Sequence, residues 1–363
     1  MGRGNLLTPA AFVDQVLAPW RTPPVPPRGL VRPDAAYLPS SQRISPTIAR
    51  RFRGLAWDLI VRSTADAGVR RQAMTAVETL LARVDGELVP GRPMREVADA
   101  EVVEIYCAIV RAVTGVRDPY AAVKRAYTAQ ALAHLPEIAA IVESAAEPAQ
   151  RWQVAVSLGI LGNAMDFADP LKRAQLETDG FDMRAELRRA TALRYARGLD
   201  ARAAFLAALR RAPRGDVLFL ADNAGEIVFD LPLIRLWLAA GHPVTLVGKS
   251  VPCYNDVTAD DLCALLQDRR VREYLGRRPP RVMAGGTRTI GLDLRRATPP
   301  LVLAWRRAAI VYAKGQGMVQ TLRYAALTRD VFHAVQVKDP AYFHEGVRLR
   351  PGAACFLHTV PKS

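Results

Sequence analysis

The densest chemistry in the chain lies in Ala221-Asp222-Asn223-Ala224-Gly225-Glu226-Ile227-Val228-Phe229-Asp230. This stretch follows an apolar run, Val217-Leu218-Phe219-Leu220, that reads as a buried strand, and it precedes a helical pattern over 231–240. A carboxylate, a carboxamide and a glycine therefore stand at the carboxyl end of a strand, where open α/β sheets place their ligands. Asp222 and Asn223 offer adjacent oxygen donors of the kind a hard divalent cation takes. Gly225 permits close backbone approach, and the start of the next helix offers N–H groups to an anion. Asp and Asn are equally at home as plain helix caps, so this segment alone supports both readings.

Further segments gain weight because each leaves a strand candidate. Lys249-Ser250-Val251-Pro252-Cys253-Tyr254-Asn255-Asp256 supplies a second carboxylate, Asp256, and a phosphate-facing cation, Lys249. Gly285 and Gly286 form a glycine-rich turn of the sort whose amides cradle a phosphate. Lys314-Gly315-Gln316-Gly317 puts a lysine at a strand end beside glycines, a natural partner for a transferring phosphoryl group. In the amino-terminal half, Gly162-Asn163-Ala164-Met165-Asp166 places Asn163 and Asp166 on one helix face, as candidates to line a substrate pocket. Two carboxylates for a metal and two lysines for a phosphate make a coherent set. No Walker loop, dinucleotide-binding glycine fingerprint or nucleophile elbow is present.

These loops must be held by two kinds of architecture. From residue 48 to about 209, apolar residues recur at helical spacing, notably over 69–84, 97–113, 121–132, 137–144 and 149–161. After Pro213-Arg214-Gly215, short apolar runs alternate with helices; strands are predicted over 216–221, 243–247, 281–284, 309–313 and 331–337, with an edge strand over 353–359. The fold class is α/β with an added all-helical domain: a Rossmann-like, mostly parallel sheet flanked by helices. The expected organisation is a Pro-rich arm over 1–45, extended or poorly ordered, a helical domain over 46–212 and a catalytic α/β domain over 213–363.

Composition narrows the partners. The formal charge of +15 resembles a nucleic-acid signal, but only six of the 50 basic residues are Lys, and the Arg pairs are scattered without aromatic interleaving. That charge equally attracts a phosphorylated small molecule, and no nucleic-acid partner is expected. No run of 18 apolar residues points to a membrane span, and no secretory layout opens the chain, so a cytoplasmic protein is expected. Cys107, Cys253, Cys263 and Cys355 are too widely spaced for a zinc site or a disulfide framework, and the five histidines show no ligand spacing.

In this order the motifs resemble the metal-dependent damage-control phosphatase family, which includes members named acidic-residue methyltransferase. The resemblance runs from Asp118-Pro119-Tyr120 through Gly162-Asn163 with Asp166, Asp222-Asn223-Ala224-Gly225-Glu226 and Pro252 with Asn255-Asp256 to Lys314-Gly315-Gln316-Gly317. It implies a divalent cation (Mn²⁺, Co²⁺, Ni²⁺ or Mg²⁺) held by Asp222, Asn223 and Asp256, with Lys314 on the substrate phosphate. It also implies that Glu226, Asn163 and Asp166 line the pocket, and that the substrate is a small phosphorylated metabolite such as a sugar phosphate or damaged cofactor intermediate. Two departures stand out: Met318 where the family usually has Asn, and the absence of the paired amino-terminal cysteines of many microbial relatives. Met318 is what favours a non-catalytic relative that binds a phosphorylated ligand. Carboxyl methyl transfer from S-adenosylmethionine would call for a glycine-rich nucleoside loop, and the first strand is followed by a single glycine.

Overall fold

The computed structural model describes residues 8–22, 25–31, 46–83, 87–91, 97, 99–165, 187, 190–323, 327–343 and 348–361. The helical part comprises α1 (Pro9–Leu17), α2 (Pro46–Ser63), α3 (Ala67–Leu81), α4 (Asp99–Thr114), α5 (Ala121–Ala133), α6 (Leu135–Glu143) and α7 (Pro148–Leu161). The sheet part runs β1 (Tyr195–Asp200), α8 (Arg202–Arg211), β2 (Val217–Leu220), α9 (Glu226–Ala239), β3 (Val244–Gly248), α10 (Ala259–Gln267) and α11 (Arg269–Leu275). It continues with β4 (Arg281–Ala284), α12 (Pro299–Arg307), β5 (Ile310–Lys314), α13 (Gln316–Leu322), β6 (Val331–Gln336) and β7 (Ala354–Thr359).

The seven strands lie in the order β1-β7-β6-β5-β2-β3-β4, parallel except where β6 meets β7. Strand β2 pairs with β3 on one side and β5 on the other, so the chain order reverses beside it. A topological switch point of this kind leaves a crevice at the carboxyl ends of the strands. All four residues of β2 and all five of β5 are buried. Both faces are covered: α5, α6, α7 and α9 share one apolar cluster with the sheet, and α12 and α13 close the other face. Helices α1 to α4 form a separate cluster that reaches into the loop after β3 through Cys253 and Tyr254.

Three expectations change. The sheet part begins at Tyr195 rather than 213, because β1 and α8 belong to it. Strand β7 is internal, between β1 and β6, and the edge is β1. The amino-terminal segment is not merely an arm. Thr8 caps α1 and Pro9 takes the first helical turn, where its missing N–H costs nothing. Val13, Leu17 and Trp20 are then buried among α1 to α4, while Val31 forms a bridge with Leu327. Among the described residues no helix is long and apolar enough to cross a membrane.

Candidate active site

The loops after β2 and β3 are laced together by backbone hydrogen bonds. Val257 N donates to Asp222 O at 2.8 Å and Ala224 N to Asn255 O at 2.9 Å, which sets Asn223 opposite Asp256 in an antiparallel bridge. The adjacent Asp222 and Asn223 are thereby held beside the distant Asp256 at the switch point. Asn223 Nδ2 donates to Asp222 Oδ2 at 3.0 Å and to Glu226 Oε2 at 2.9 Å. Both amide hydrogens of Asn223 are thereby used on carboxylates, which fixes the orientation of its side chain.

Two glycines of the motifs are explained by close approach. Gly225 has φ +77, and a Cβ there would stand 3.2 Å from the Cβ of Tyr127 on α5. Gly315 has φ +84, and a Cβ there would stand 1.8 Å from Asp222 Oδ2. The glycine after Lys314 thus makes the space that Asp222 occupies.

Depth divides the charged groups. Lys314 and Glu226 have no exposed surface, whereas Asp222, at 7%, is the most open of the cluster. At the floor, Lys314 Nζ meets Glu226 Oε1 at 2.8 Å and Asp230 Oδ1 at 3.0 Å and also donates to Gly159 O. Asn163 Nδ2 donates to the same Glu226 oxygen at 2.8 Å. At the mouth, Lys249 Nζ lies 3.2 Å from Asp256 Oδ2 and donates to Gly291 O. Lys249 also borders a cavity of about 260 Å³ that reaches Asp118 and Asp261.

Four carboxylates, of Asp222, Glu226, Asp230 and Asp256, therefore share two ammonium groups. Burial pushes Asp222 far above the usual carboxylate range, and the charges of Asp256 and Glu226 push it further. Burial likewise raises Asp256 against the pull of Lys249, and it raises Asp230 to about 7 against that of Lys314. Lys314 is held above its ordinary value: burial opposes the charged form, but Asp230 and Glu226 outweigh it. Among the described residues such a set is short of positive charge, and protons or a cation would make up the difference.

Among the described residues, no group of three His, Cys, Asp or Glu side chains is gathered for a metal. The expected ligands are instead two carboxylates and a carboxamide, an oxygen set suited to a hard divalent ion. The excess of carboxylate over ammonium groups among the described residues fits such an ion.

Other expected site residues fare differently. Lys314, read from sequence as facing a phosphate, has three acceptors around its three donors and lies at the floor. Gly285 and Gly286 do not form a phosphate cradle: Gly285 N donates to Gly248 O at 3.0 Å and Gly286 N to Ser250 Oγ at 2.8 Å, so both amides are taken. A Cβ on Gly286 would fall 1.9 Å from Arg296 O, which is what keeps glycine there. Asp166 lies outside the described residues. Met318 is buried in the apolar cluster with Leu292 and Leu322. Asp230 is the site residue that sequence reasoning missed, although two carboxylates four residues apart on an apolar helix already call for a buried cation.

The family model for the damage-control phosphatase ARMT1-like domain matches residues 49–358. The damage-control phosphatase PH1575 of Pyrococcus horikoshii is 30% identical over 195 residues, a match spanning 53% of this chain and 61% of that protein. A damage-control phosphatase of Archaeoglobus fulgidus is 26% identical over 237 residues, 65% of this chain and 75% of the relative. The crystal structure of a DUF89 family protein from Pyrococcus horikoshii superposes with a TM-score of 0.65 at 23% identity, covering 87% of this chain and 98% of the other, a likeness of fold.

Proposed function

The chain belongs to the ARMT1-like damage-control phosphatase family, and from that premise we propose that it is a metal-dependent hydrolase of a small phosphomonoester. The observation that carries the reading is the charge imbalance at the switch point, where, among the described residues, four buried carboxylates face two ammonium groups. Two like-charged carboxylates at a mouth are costly unless a cation joins them, and a phosphate ester brings the anion that such a cation then attracts.

Asp222, Asn223 and Asp256 would hold the ion, with Mn²⁺, Co²⁺, Ni²⁺ and Mg²⁺ all compatible with oxygen donors. When bound, the ion supplies Lewis acidity toward a phosphoryl oxygen. The remaining chemistry belongs to the side chains. Lys249 directs two contacts to Asp256 and Gly291 O and borders the cavity, so its third N–H is the one placed for a phosphoryl oxygen. Glu226 is surrounded by Asn163, Asn223 and Lys314, which makes it a brace for Asn223 rather than a proton acceptor for water. Lys314 stabilises that brace from below, and Asp230 shares its charge.

The test is a screen of phosphorylated metabolites against divalent ions, run on the purified protein, Asp222→Ala and Asp256→Ala. Metal-stimulated phosphate release is expected from the parent protein and from neither variant. Equal release by either variant overturns the assignment. The non-catalytic alternative rested on Met318, and a side chain buried in the core lends it no support.

A further inference from the structure

The loop that carries Asp256 is gripped from the helical part at several points. Arg111 Nη1, on α4, donates to Pro252 O at 3.1 Å. The hydroxyls of Tyr106 and Tyr254 share a hydrogen bond, and the Tyr120 ring meets Tyr254 edge-on at 5.7 Å between centroids. Tyr254 needs holding: its φ of +49 puts a bulky side chain in the left-handed region, a conformation kept only when the surroundings impose it.

At the other end of the loop, one carboxylate oxygen collects three donors. Asp261 Oδ2 accepts from Thr258 N at 2.9 Å, from Thr258 Oγ1 at 2.7 Å and from Lys124 Nζ at 2.6 Å. The first of these, with Asp261 N donating back to Thr258 Oγ1 at 3.1 Å, makes the capping box that starts α10. The third comes from α5, where Lys124 is nearly fully buried and also meets Asp118 Oδ2 at 2.7 Å. Thr258 stands two residues after Asp256 and bridges to Lys249, while Lys249 N donates to Val257 O at 2.9 Å and Ala259 N to Lys249 O at 3.1 Å. A displacement of Asp261 therefore moves both the ligand Asp256 and the lysine beside it.

We infer that Lys124 is a positioning residue for Asp256 and Lys249: through Asp261 and the Thr258 cap, it makes the helical part set the geometry of the cation site. The inference rests on the proposed metal site for its consequence, though not for its geometry. A buried Lys that bridges Asp118 of the loop before α5 and Asp261 of α10 is a tie between the two parts of the fold, and Asp256 lies within its electrostatic reach.

Two measurements test this on the full-length protein: Mn²⁺ binding by titration calorimetry, and hydrogen exchange without metal. In Lys124→Met, exchange over 253–261 should quicken while that over β5 stays unchanged, and Mn²⁺ should bind about tenfold more weakly, as loss of an outer partner of a ligand does. Lys124→Arg should restore both. Lys124→Met with Asp118→Asn and Asp261→Asn removes both orphaned charges, so stability should recover while the weak Mn²⁺ binding persists; a purely structural lysine predicts recovery of both. Parent-like exchange over 253–261 in Lys124→Met overturns the inference, as does parent-like Mn²⁺ affinity. A parent protein that takes up no divalent ion sinks the proposed function instead, and the exchange measurement then decides on the tie alone.

Discussion

Beneath α4, Arg295 lies between Asp293 and Glu101, whereas at the ends of β2 and β3 four carboxylates share two ammonium groups. The carboxylates of both clusters are buried, and both clusters join the helical part or its loops to the sheet part. Arg295 makes a forked pair with Asp293, with Nε at 2.9 Å from Oδ1 and Nη2 at 2.8 Å from Oδ2, and meets Glu101 Oε2 at 3.0 Å. Nearby, Arg296 Nε stands 3.1 Å from Glu104 Oε2, and Arg288 is close enough to offset part of the burial that raises Glu104. There, three guanidinium groups answer three carboxylates, and planar guanidinium suits fixed, forked pairing. The switch-point cluster uses point-charge lysines and, among the described residues, leaves two carboxylates over. Among the described residues, the first cluster pairs its charges within the chain, and the excess of carboxylate in the second is what the proposed cation would offset.

The contrast is most easily broken at its strongest point. Asp222→Ala should abolish metal-stimulated phosphate release, by about a thousandfold or more if the ion supplies several kcal/mol. Its metal-free thermal stability should hold or rise, because a repelling charge is gone. Gly315→Ala should also abolish release but, unlike Asp222→Ala, lower the thermal stability, since a Cβ there falls 1.8 Å from Asp222 Oδ2 at a φ of +84. Loss of folding on removal of Asp222 would place that residue with the structural clusters instead.

Next in size, Arg295→Met should cost about 3–5 kcal/mol of unfolding free energy, the toll of orphaning buried carboxylates. Denaturant titration measures it, and the folded fraction should keep its affinity for metal. A drop in metal affinity matching that of Asp222→Ala would erase the distinction between the clusters.

A saturating divalent ion, at about a hundred times its dissociation constant, should add roughly 2.7 kcal/mol of stability to the parent and to Arg295→Met, but nothing to Asp222→Ala. Because burial holds Asp222 and Asp256 above the ordinary carboxylate range, their protons compete with the ion. Affinity should therefore rise with pH, accompanied by proton release that buffers of different ionisation heat would detect in calorimetry.

The smallest effect belongs to a buried group of neither cluster. Burial lowers His333 from 6.5 to about 3. The unfolded chain takes up this proton near pH 6.5, while the folded one refuses it until about pH 3, so the contribution is complete above pH 6.5 and is lost as pH falls toward 3. Relative to His333→Gln, the parent should lose roughly 2 kcal/mol on going from pH 7.5 to pH 5. Parallel stability curves for the two proteins would rule this out.

Most of the sheet is legible in the apolar pattern alone. Strands buried on both faces appear as near-continuous apolar runs, which is how β2, β3, β5 and β6 announce themselves despite Thr245 and His333. Strand β1 hides because it is an edge, with Arg197 and Gly198 exposed and Gly198 at φ +78 interrupting the extended pattern. Prolines mask α1, whose burial is decided by partners on α3 and α4. At the site, the types of Asp222, Asn223 and Asp256 were legible, but the direction of each side chain was not. Lys314 and Lys249 look alike in sequence, and only their neighbours send one to the floor and the other to the mouth. The Gly285-Gly286 turn likewise looks like an anion cradle until the acceptors of its amides are seen.

Sequence by itself determined which chemical groups the strand ends carry, because residue type and period are local properties. Tertiary structure decided how those groups divide between holding one another and holding something else. That division depends on which charges meet at close range in a dry interior, and residues as distant as Gly159, Asp230 and Lys314 come into contact only when the sheet and its helices close over them.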